Sequence, residues 1–378
     1  MSIKLKRKIF YWSPSLVNIA TNKAVINSCY SIIKFNKSFE CFILNFFGEF
    51  NKYTDEIHKK KISLINYYDK IFLNYFPRHG KFKSRFSFFI IYLASFFPLK
   101  NLLIREKPEY LIIHLISSLP LTLLLLFKFD TKFILRISGL PKLNFLRKFI
   151  WKMAFKKIHL VTCPTINTLN YIKNLNIIEE SKLKLLYDPI IIVNEINKKK
   201  NIEINYKNYY LSVGRLTPQK NFVFLCKAFN ELVKLDKKNK LLIAGDGEEQ
   251  SKLSKFIKRN NLSKNIFLLG HVENIYPYFK KSKGFILSSL WEDPGFVLIE
   301  SSFCRTPILS SDSWPGPIEL IQDNFNGYLY KNNNMKSFLD AFNKLSLNNG
   351  KNIKLNALKM SKKFTLFKHY DHLIKLIN

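Results

Sequence analysis

Tyr209-Tyr210-Leu211-Ser212-Val213-Gly214, followed at once by Arg215-Leu216-Thr217-Pro218-Gln219-Lys220-Asn221, is the stretch on which the reading of this chain turns. A short apolar run that ends in glycine predicts a buried strand and a tight exit turn. The apolar spacing of 221–235 predicts a helix directly after it. The same unit recurs downstream. Lys240–Gly245, Asn265–Gly270, Gly284–Ser289 and Thr306–Asp312 are further short apolar runs ending in Gly, Ser or Asp, and 248–260 has helical period. Strands alternating with helices of this length predict a parallel α/β sheet covered on both faces. Ligands of such sheets sit at the carboxyl ends of the strands, so the chemistry is expected in the loops that leave them.

Three of those loops carry groups with a task. In the first, Arg215 and Lys220 stand between strand and helix. A guanidinium can bind two oxygens and an ammonium acts as a point charge, which suits a diphosphate. A solvated turn with surface cations accounts for the pair equally well. The second is Trp291-Glu292-Asp293-Pro294-Gly295-Phe296, running on to Glu300. A helix starting near Phe296 turns its free amides on the loop, while Glu292 and Glu300 suit sugar hydroxyls. Acids at a helix start also complement its dipole, but Glu300 is too far into the helix for that. The third, Asp312-Ser313-Trp314-Pro315-Gly316-Pro317, is a rigid turn that brings backbone close to an anion, or an ordinary tight turn.

The first 190 residues repeat the pattern less regularly. Strands are expected at 9–12, 41–46, 110–114, 133–137 and 160–162, giving a second doubly wound domain over 1–190. A linker is expected at 191–207, the regular domain at 208–360, and an amphipathic helix at 361–378 that packs back on the first domain. Two apolar stretches approach membrane-spanning length. Residues 86–99 are short for a span, and 110–127 read better as a strand and a buried helix, because Ser117, Ser118 and Pro120 interrupt them. Attachment along the lipid surface fits better than a span.

Formal net charge is +34, with 34 Lys+Arg against 12 Asp+Glu in residues 1–200. That excess favours anionic partners, or reflects a Lys-rich composition on solvated faces. Cys29, Cys41, Cys163, Cys226 and Cys304 form no CxxC pair, which points to a reducing compartment and away from a disulfide framework or structural zinc. The basic start leads into no long apolar segment, so no signal peptide is expected.

Taken in order, GRLTPQKN, LLIAGDGEE, FLLGHVENI, LSSLWEDPGFVLIE, TPILSSDSWPGPIELI and NGYLY resemble the family 4 retaining glycosyltransferases over residues 208–332. The resemblance implies the GT-B architecture: α/β, two facing Rossmann-like doubly wound domains with an interdomain cleft. It implies a hexosyltransferase that takes its sugar from a nucleotide-sugar, with no obligatory metal or other cofactor. Arg215 and Lys220 would hold the diphosphate, Glu292 the donor sugar and Glu300 the ribose. Gly295, Phe296 and the Gly316 turn would line the phosphates, and backbone at Val272 would face the base. His114, at the end of a strand in the first domain, would meet the donor sugar or serve as a core histidine. The family's glycine-rich loop after its first strand appears here as Ser13-Pro14-Ser15-Leu16-Val17-Asn18, without glycine, and Gly139 of Ser138-Gly139-Leu140-Pro141 could substitute.

The function expected on this basis is transfer from UDP-hexose or UDP-N-acetylhexosamine to a growing surface glycan such as lipopolysaccharide. The acceptor would be polyprenyl- or lipid-linked, and the enzyme peripheral on the cytoplasmic membrane face. Basic and aromatic residues, among them Lys81-Phe82-Lys83-Ser84-Arg85-Phe86, would dock on anionic lipid. No nucleic-acid recognition motif appears. Two alternatives remain open at this point: a non-catalytic basic binding module, and an epimerase of the same fold.

Overall fold

The computed structural model describes residues 6–16, 20–68, 81–137, 139–141, 143–347 and 350–378, with the backbone alone over 81–85. The chain divides into two compact units, Met1–Pro189 with Leu366–Asn378, and Ile190–Thr365. The segment 191–207, expected as a linker, belongs to the second unit. Its Val193–Lys199 forms a helix whose end is fastened there, Asn274 Nδ2 donating to Lys199 O at 3.0 Å and Lys280 Nζ to Asn201 Oδ1 at 2.6 Å. Its polar composition marks a solvated helix face rather than an unstructured connection.

In the first unit seven strands form one parallel sheet: β1 (Arg7–Trp12), β2 (Phe39–Asn45), β3 (Ser63–Asn66), β4 (Tyr110–Ile113), β5 (Lys132–Arg136), β6 (Leu160–Cys163) and β7 (Leu183–Leu185), in the order β3-β2-β1-β4-β5-β6-β7. Alternate residues of each strand feed opposite cores. Phe10, Trp12, Leu111, Ile113, Phe133 and Leu135 pack beneath the helices Lys81–Glu106, Ser118–Leu126, Phe145–Lys157 and Ile166–Asn174. Ile9, Tyr11, Tyr110, Ile112 and Ile134 pack beneath Ala20–Phe35 and Leu366–Ile377. Because both faces are covered, the inner strands read as largely apolar runs, while the edge strands β3 and β7 do not.

The apolar stretch expected at 86–99 is part of a 26-residue helix, Lys81–Glu106, and 110–127 is β4 followed by the helix Ser118–Leu126. The tail breaks at Lys362–Phe364 before its last helix. The described part of the loop after β1 ends at Leu16. Val17, Asn18 and Ser138 lie outside the described residues, as do the side chains of 81–85.

The second unit holds β8 (Tyr210–Val213), β9 (Leu241–Ala244), β10 (Ile266–Gly270), β11 (Gly284–Leu287), β12 (Trp291–Glu292), β13 (Ile308–Ser311), β14 (Trp314–Pro315) and β15 (Tyr328–Tyr330). Six of them form a parallel sheet in the order β10-β9-β8-β11-β13-β15, and β12 pairs with β14. Helices Phe222–Leu235, Gln250–Arg259 and Met335–Leu347 bury Phe222, Phe229, Leu253 and Phe342 on one face. On the other face Phe279 meets Phe285 edge-on at 5.4 Å. Strand order reverses beside β8, where the chain goes first to β9 and β10 and then returns to β11. Loops diverge at such a switch point and leave a crevice. In the first unit the corresponding place lies between β1 and β4.

Candidate active site

The loops after β8 and β11 leave neighbouring strands at the switch point of the second unit. Behind β8 the chain makes a single 3-10 turn, Pro218–Lys220. Asn221 follows in the left-handed region (φ 54°), and the helix Phe222–Leu235 begins at once. Asparagine tolerates that conformation better than most residues, so the Lys-Asn pair fixes where Lys220 stands. Leu290 N donates to Gln219 O at 2.8 Å, Gln219 Nε2 to Trp291 O at 2.9 Å, and Ser288 Oγ to Lys220 O at 2.8 Å. The two loops are thus tied together by uncharged hydrogen bonds before any charge is considered.

The charges then meet. Lys220 Nζ pairs with Glu292 Oε1, and the Ser289 hydroxyl donates to the same oxygen at 2.6 Å. Glu292 is only 6% exposed, so its carboxylate needs both partners: a buried charge is tolerated when paired and hydrogen-bonded. Arg215 is exposed, and among the described residues no carboxylate forms an ion pair with it. One cation is therefore engaged by an internal acid while its neighbour stands in solvent.

The loops after β11 and β13 are locked in turn. Trp291 registers with Trp314 and Glu292 with Pro315 in the β12–β14 ladder. A side chain on Gly316 would place its Cβ 2.1 Å from Pro294 O, so the residue must be glycine for the two turns to touch. Gly295, with φ 98°, precedes the helix Phe296–Phe303. Gly245 plays the matching part behind β9: its φ is +138° and a Cβ there would fall 2.0 Å from Gly214 O. Leu216 N donates to Asp246 O at 2.8 Å, which fastens the β9 loop to the residue that follows Arg215.

Glu300 lies half-buried on the helix Phe296–Phe303 and accepts from Tyr276 OH at 3.2 Å. Burial, with the Glu300 charge second, pushes the Tyr276 phenol well above its ordinary range, so that hydroxyl stays a donor. Val272 is half-buried in the segment that follows β10. Residues that motif reading passed over include Ser289, Tyr276, and the hydroxyls of Thr217 and Ser313. The last two are buried without a hydrogen-bond partner, which marks a group that calls for an explanation. For Thr217, Ser289 and Ser313 a hydroxyl in the loop after a strand is the one sequence signal; Tyr276 stands in the helix Tyr276–Lys281 and has none.

His114 belongs to the first unit, at the end of β4 beside the switch point. It is 6% exposed and lines a pocket with Arg136, Asp188, His369 and Ser28. Arg136 Nε donates to Asp188 Oδ1 at 3.0 Å, and the second nitrogen reaches Oδ2. His369 Nδ1 lies 2.7 Å from Tyr187 O, and Nε2 is 2.8 Å from Ser28 Oγ. A carbonyl only accepts, so Nδ1 carries the proton and Nε2 accepts from Ser28. Burial, then Arg136 and His369, hold His114 well below the usual histidine range, so it is neutral. Ser13, in the loop after β1, is fully buried, and its hydroxyl has no partner. Gly139, the substitute considered for the missing glycine, has φ 77°.

Residues 193–363 match the family Glycosyl transferases group 1. An uncharacterised glycosyltransferase of Methanocaldococcus jannaschii is 30% identical over 77% of this chain and 74% of its own length. A Campylobacter jejuni enzyme, N-acetylgalactosamine-N,N'-diacetylbacillosaminyl-diphospho-undecaprenol 4-alpha-N-acetylgalactosaminyltransferase, is 32% identical over 52% of this chain and 53% of its own length. This chain therefore aligns with about half of that relative. Among solved structures, a mutant of Staphylococcus aureus TarM in complex with Fondaparinux, alpha-GlcNAc-glycerol and UDP superposes with a TM-score of 0.75. It covers 98% of this chain and 100% of its own, at 16% identity.

The chain belongs to the group 1 glycosyltransferases, with the GT-B fold. It is an enzyme of a class that draws on nucleotide-sugar donors. This membership sets aside both the non-catalytic basic module and the epimerase.

Proposed function

We propose that the protein transfers a hexose or N-acetylhexosamine from a UDP-sugar, with retention at the anomeric carbon, to a growing surface glycan linked to a polyprenyl or other lipid carrier at the cytoplasmic membrane face. The observation that carries this reading is the meeting of Lys220 and Glu292 at the switch point of the second unit, with Arg215 exposed in the same loop as Lys220.

In this reading Arg215 and Lys220 hold the donor diphosphate and stabilise the charge that gathers on it as the glycosidic bond breaks. Lys220 exchanges its carboxylate partner for phosphate oxygen. Glu292, so released, accepts from hydroxyls of the donor sugar. The amides at Gly295 and Phe296, and the turn at Gly316, face the phosphates, and the Thr217 and Ser313 hydroxyls find their acceptor there. Glu300 takes the ribose hydroxyls, with Tyr276 setting the carboxylate's position, while backbone at Val272 meets the base. His114, neutral, offers one ring nitrogen as donor or the other as acceptor to a sugar hydroxyl. The TarM complex contains UDP, and the Campylobacter relative is named for a diphospho-undecaprenol acceptor. Both support the choice of donor base and carrier.

A thermal-shift screen of UDP-, GDP- and ADP-sugars tests the donor, since a cognate ligand raises the melting temperature by mass action. Stabilisation by a GDP- or ADP-sugar and not by UDP-sugars rejects the assignment of the base. NMR of the product formed on a polyprenyl-diphosphate glycan reads the anomeric configuration, and inversion rejects retention.

A further inference from the structure

Two helices of the first unit turn apolar faces to solvent. In Phe145–Lys157, Trp151, Ala154 and Phe155 are buried in the unit's core. The opposite face presents Phe145, Leu146, Phe149, Ile150 and Met153, with Phe145 89% exposed and Phe149 57%. These positions follow a spacing of one, three or four residues, so they form one continuous stripe. In Lys81–Glu106 the same inversion holds: Ile91, Leu99, Leu102 and Leu103 face the core, while Phe86, Leu93, Phe97 and Ile104 line the outer side. That stripe is about 27 Å long at the rise of an α-helix. Helix Ser118–Leu126 packs between the two, with Leu126 outward. All three cover the same face of the sheet, so their outer sides point the same way.

Charge selects the occupant. Residues 131–178 contain nine Lys and Arg and no Asp or Glu, and residues 81–106 contain five against one acid, Glu106. Arg147, Lys148, Lys152, Lys156 and Lys157 are exposed on the helix that carries Phe145 and Phe149. A second copy of this chain would bring the same cations against themselves. A span is excluded for Lys81–Glu106, because its inner face is part of the core. Apolar side chains rimmed by lysine suit the boundary between anionic headgroups and acyl chains.

We propose that helices Lys81–Glu106 and Phe145–Lys157 lie in the plane of an anionic bilayer, their apolar stripes in the acyl boundary and the cations of Phe145–Lys157 among lipid phosphates. This deepens the lipid-linked acceptor reading by naming the surface that meets the membrane.

The full-length protein is sedimented with vesicles of phosphatidylcholine alone and of phosphatidylcholine with phosphatidylglycerol, without donor or acceptor. Binding and transfer are thereby separate readouts: a protein that binds but transfers nothing refutes the acceptor, not the surface. Binding is expected on the anionic vesicles and to weaken with salt. Lys148→Glu with Lys152→Glu, and separately Phe145→Ser with Phe149→Ser, should each lower the partition coefficient at least tenfold. Their melting temperature and UDP-induced shift should match the parent, since the altered side chains are exposed. Equal sedimentation of parent and variants overturns the proposal, as does failure of the parent to bind. A parent that is dimeric in solution and becomes monomeric in the phenylalanine variant also overturns it, and assigns the face to a second copy.

Discussion

Replacing Lys220 by alanine separates a diphosphate ligand from a structural ion pair. In the free protein its ammonium is committed to Glu292, whose oxygen also accepts from Ser289 at 2.6 Å. A hydrogen bond to a charged group contributes about 1.5–3 kcal/mol. Part of that is offset here, because Lys220 must leave one anion to reach another. A loss of UDP affinity of about 10–30-fold is therefore expected, the lower part of the range those energies span. Alanine also leaves the buried Glu292 carboxylate with Ser289 as its one remaining described side-chain partner, which costs about 1–3 kcal/mol. For a unit of this size that lowers the melting temperature by about 2–12 °C, with the protein still folded at 25 °C.

Glu292→Gln is the informative companion. Its amide oxygen still accepts from Ser289, but the charge holding Lys220 is gone, so UDP should bind as well as to the parent or more tightly. Turnover should nevertheless fall by about two to three powers of ten if that carboxylate acts in the transition state. Isothermal titration with UDP gives the affinities, and a UDP-release assay the rates. Parental UDP affinity in Lys220→Ala, or a weakening in Glu292→Gln as large as that in Lys220→Ala, refutes the diphosphate assignment.

Other perturbations give separate readouts. Gly316→Ala places a Cβ against the Pro294 carbonyl, backbone that cannot swing away; it should cost about 1–3 kcal/mol as overpacking and remove the UDP-induced thermal shift, and parental melting with parental UDP binding would refute the contact. Burial lowers His369 to about 4. The unfolded chain takes up its proton first as pH falls, so this group's contribution is whole above about pH 6.5 and is lost toward pH 4, at most about 3 kcal/mol. Glu49, pushed up to about 7 by burial, acts in the opposite sense over an overlapping range. The test is thus the difference between parent and His369→Gln melting curves from pH 7.5 to 5, where an unchanged slope counts against the assignment. The five cysteines are buried, and burial pushes the Cys226 and Cys304 thiols up to about 12. Native protein should therefore react with a thiol reagent far more slowly than protein in guanidinium, and rapid labelling of any one would show local opening.

Much of the second unit was legible because its strands are short apolar runs closed by Gly, Ser or Asp. The runs at 209–214, 240–245, 265–270, 284–289 and 306–312 contain β8, β9, β10, β11 and β13. The two-residue ladder of Trp291–Glu292 with Trp314–Pro315 was not legible, since two residues have no periodicity. In the first unit β3 and β7 were passed over: Ser63–Asn66 and Leu183–Leu185 are edge strands too short and too polar to stand out. The helix Lys81–Glu106 is nearly twice the length its apolar window suggested, because helix propensity carries it into basic residues at each end and Pro98 is accommodated within it. Residues 191–207 read as a linker from their polar composition, and only packing shows that a helix within them belongs to the second unit.

The chemical inventory of the second unit is written in residue order alone: two cations after one strand, two acids eight residues apart after another, and glycines at the turns. Residue type, order and spacing are local properties, and they suffice to specify strands, exits and charge. Which groups meet depends on how the sheet is assembled. Lys220 and Glu292 are 72 residues apart in the chain and pair because strand order reverses beside β8. The apolar residues of Phe145–Lys157 divide into a buried and an outward face only once the helix is laid on its sheet. An amphipathic pattern states that two faces differ; which one turns inward is settled by what the sheet can cover.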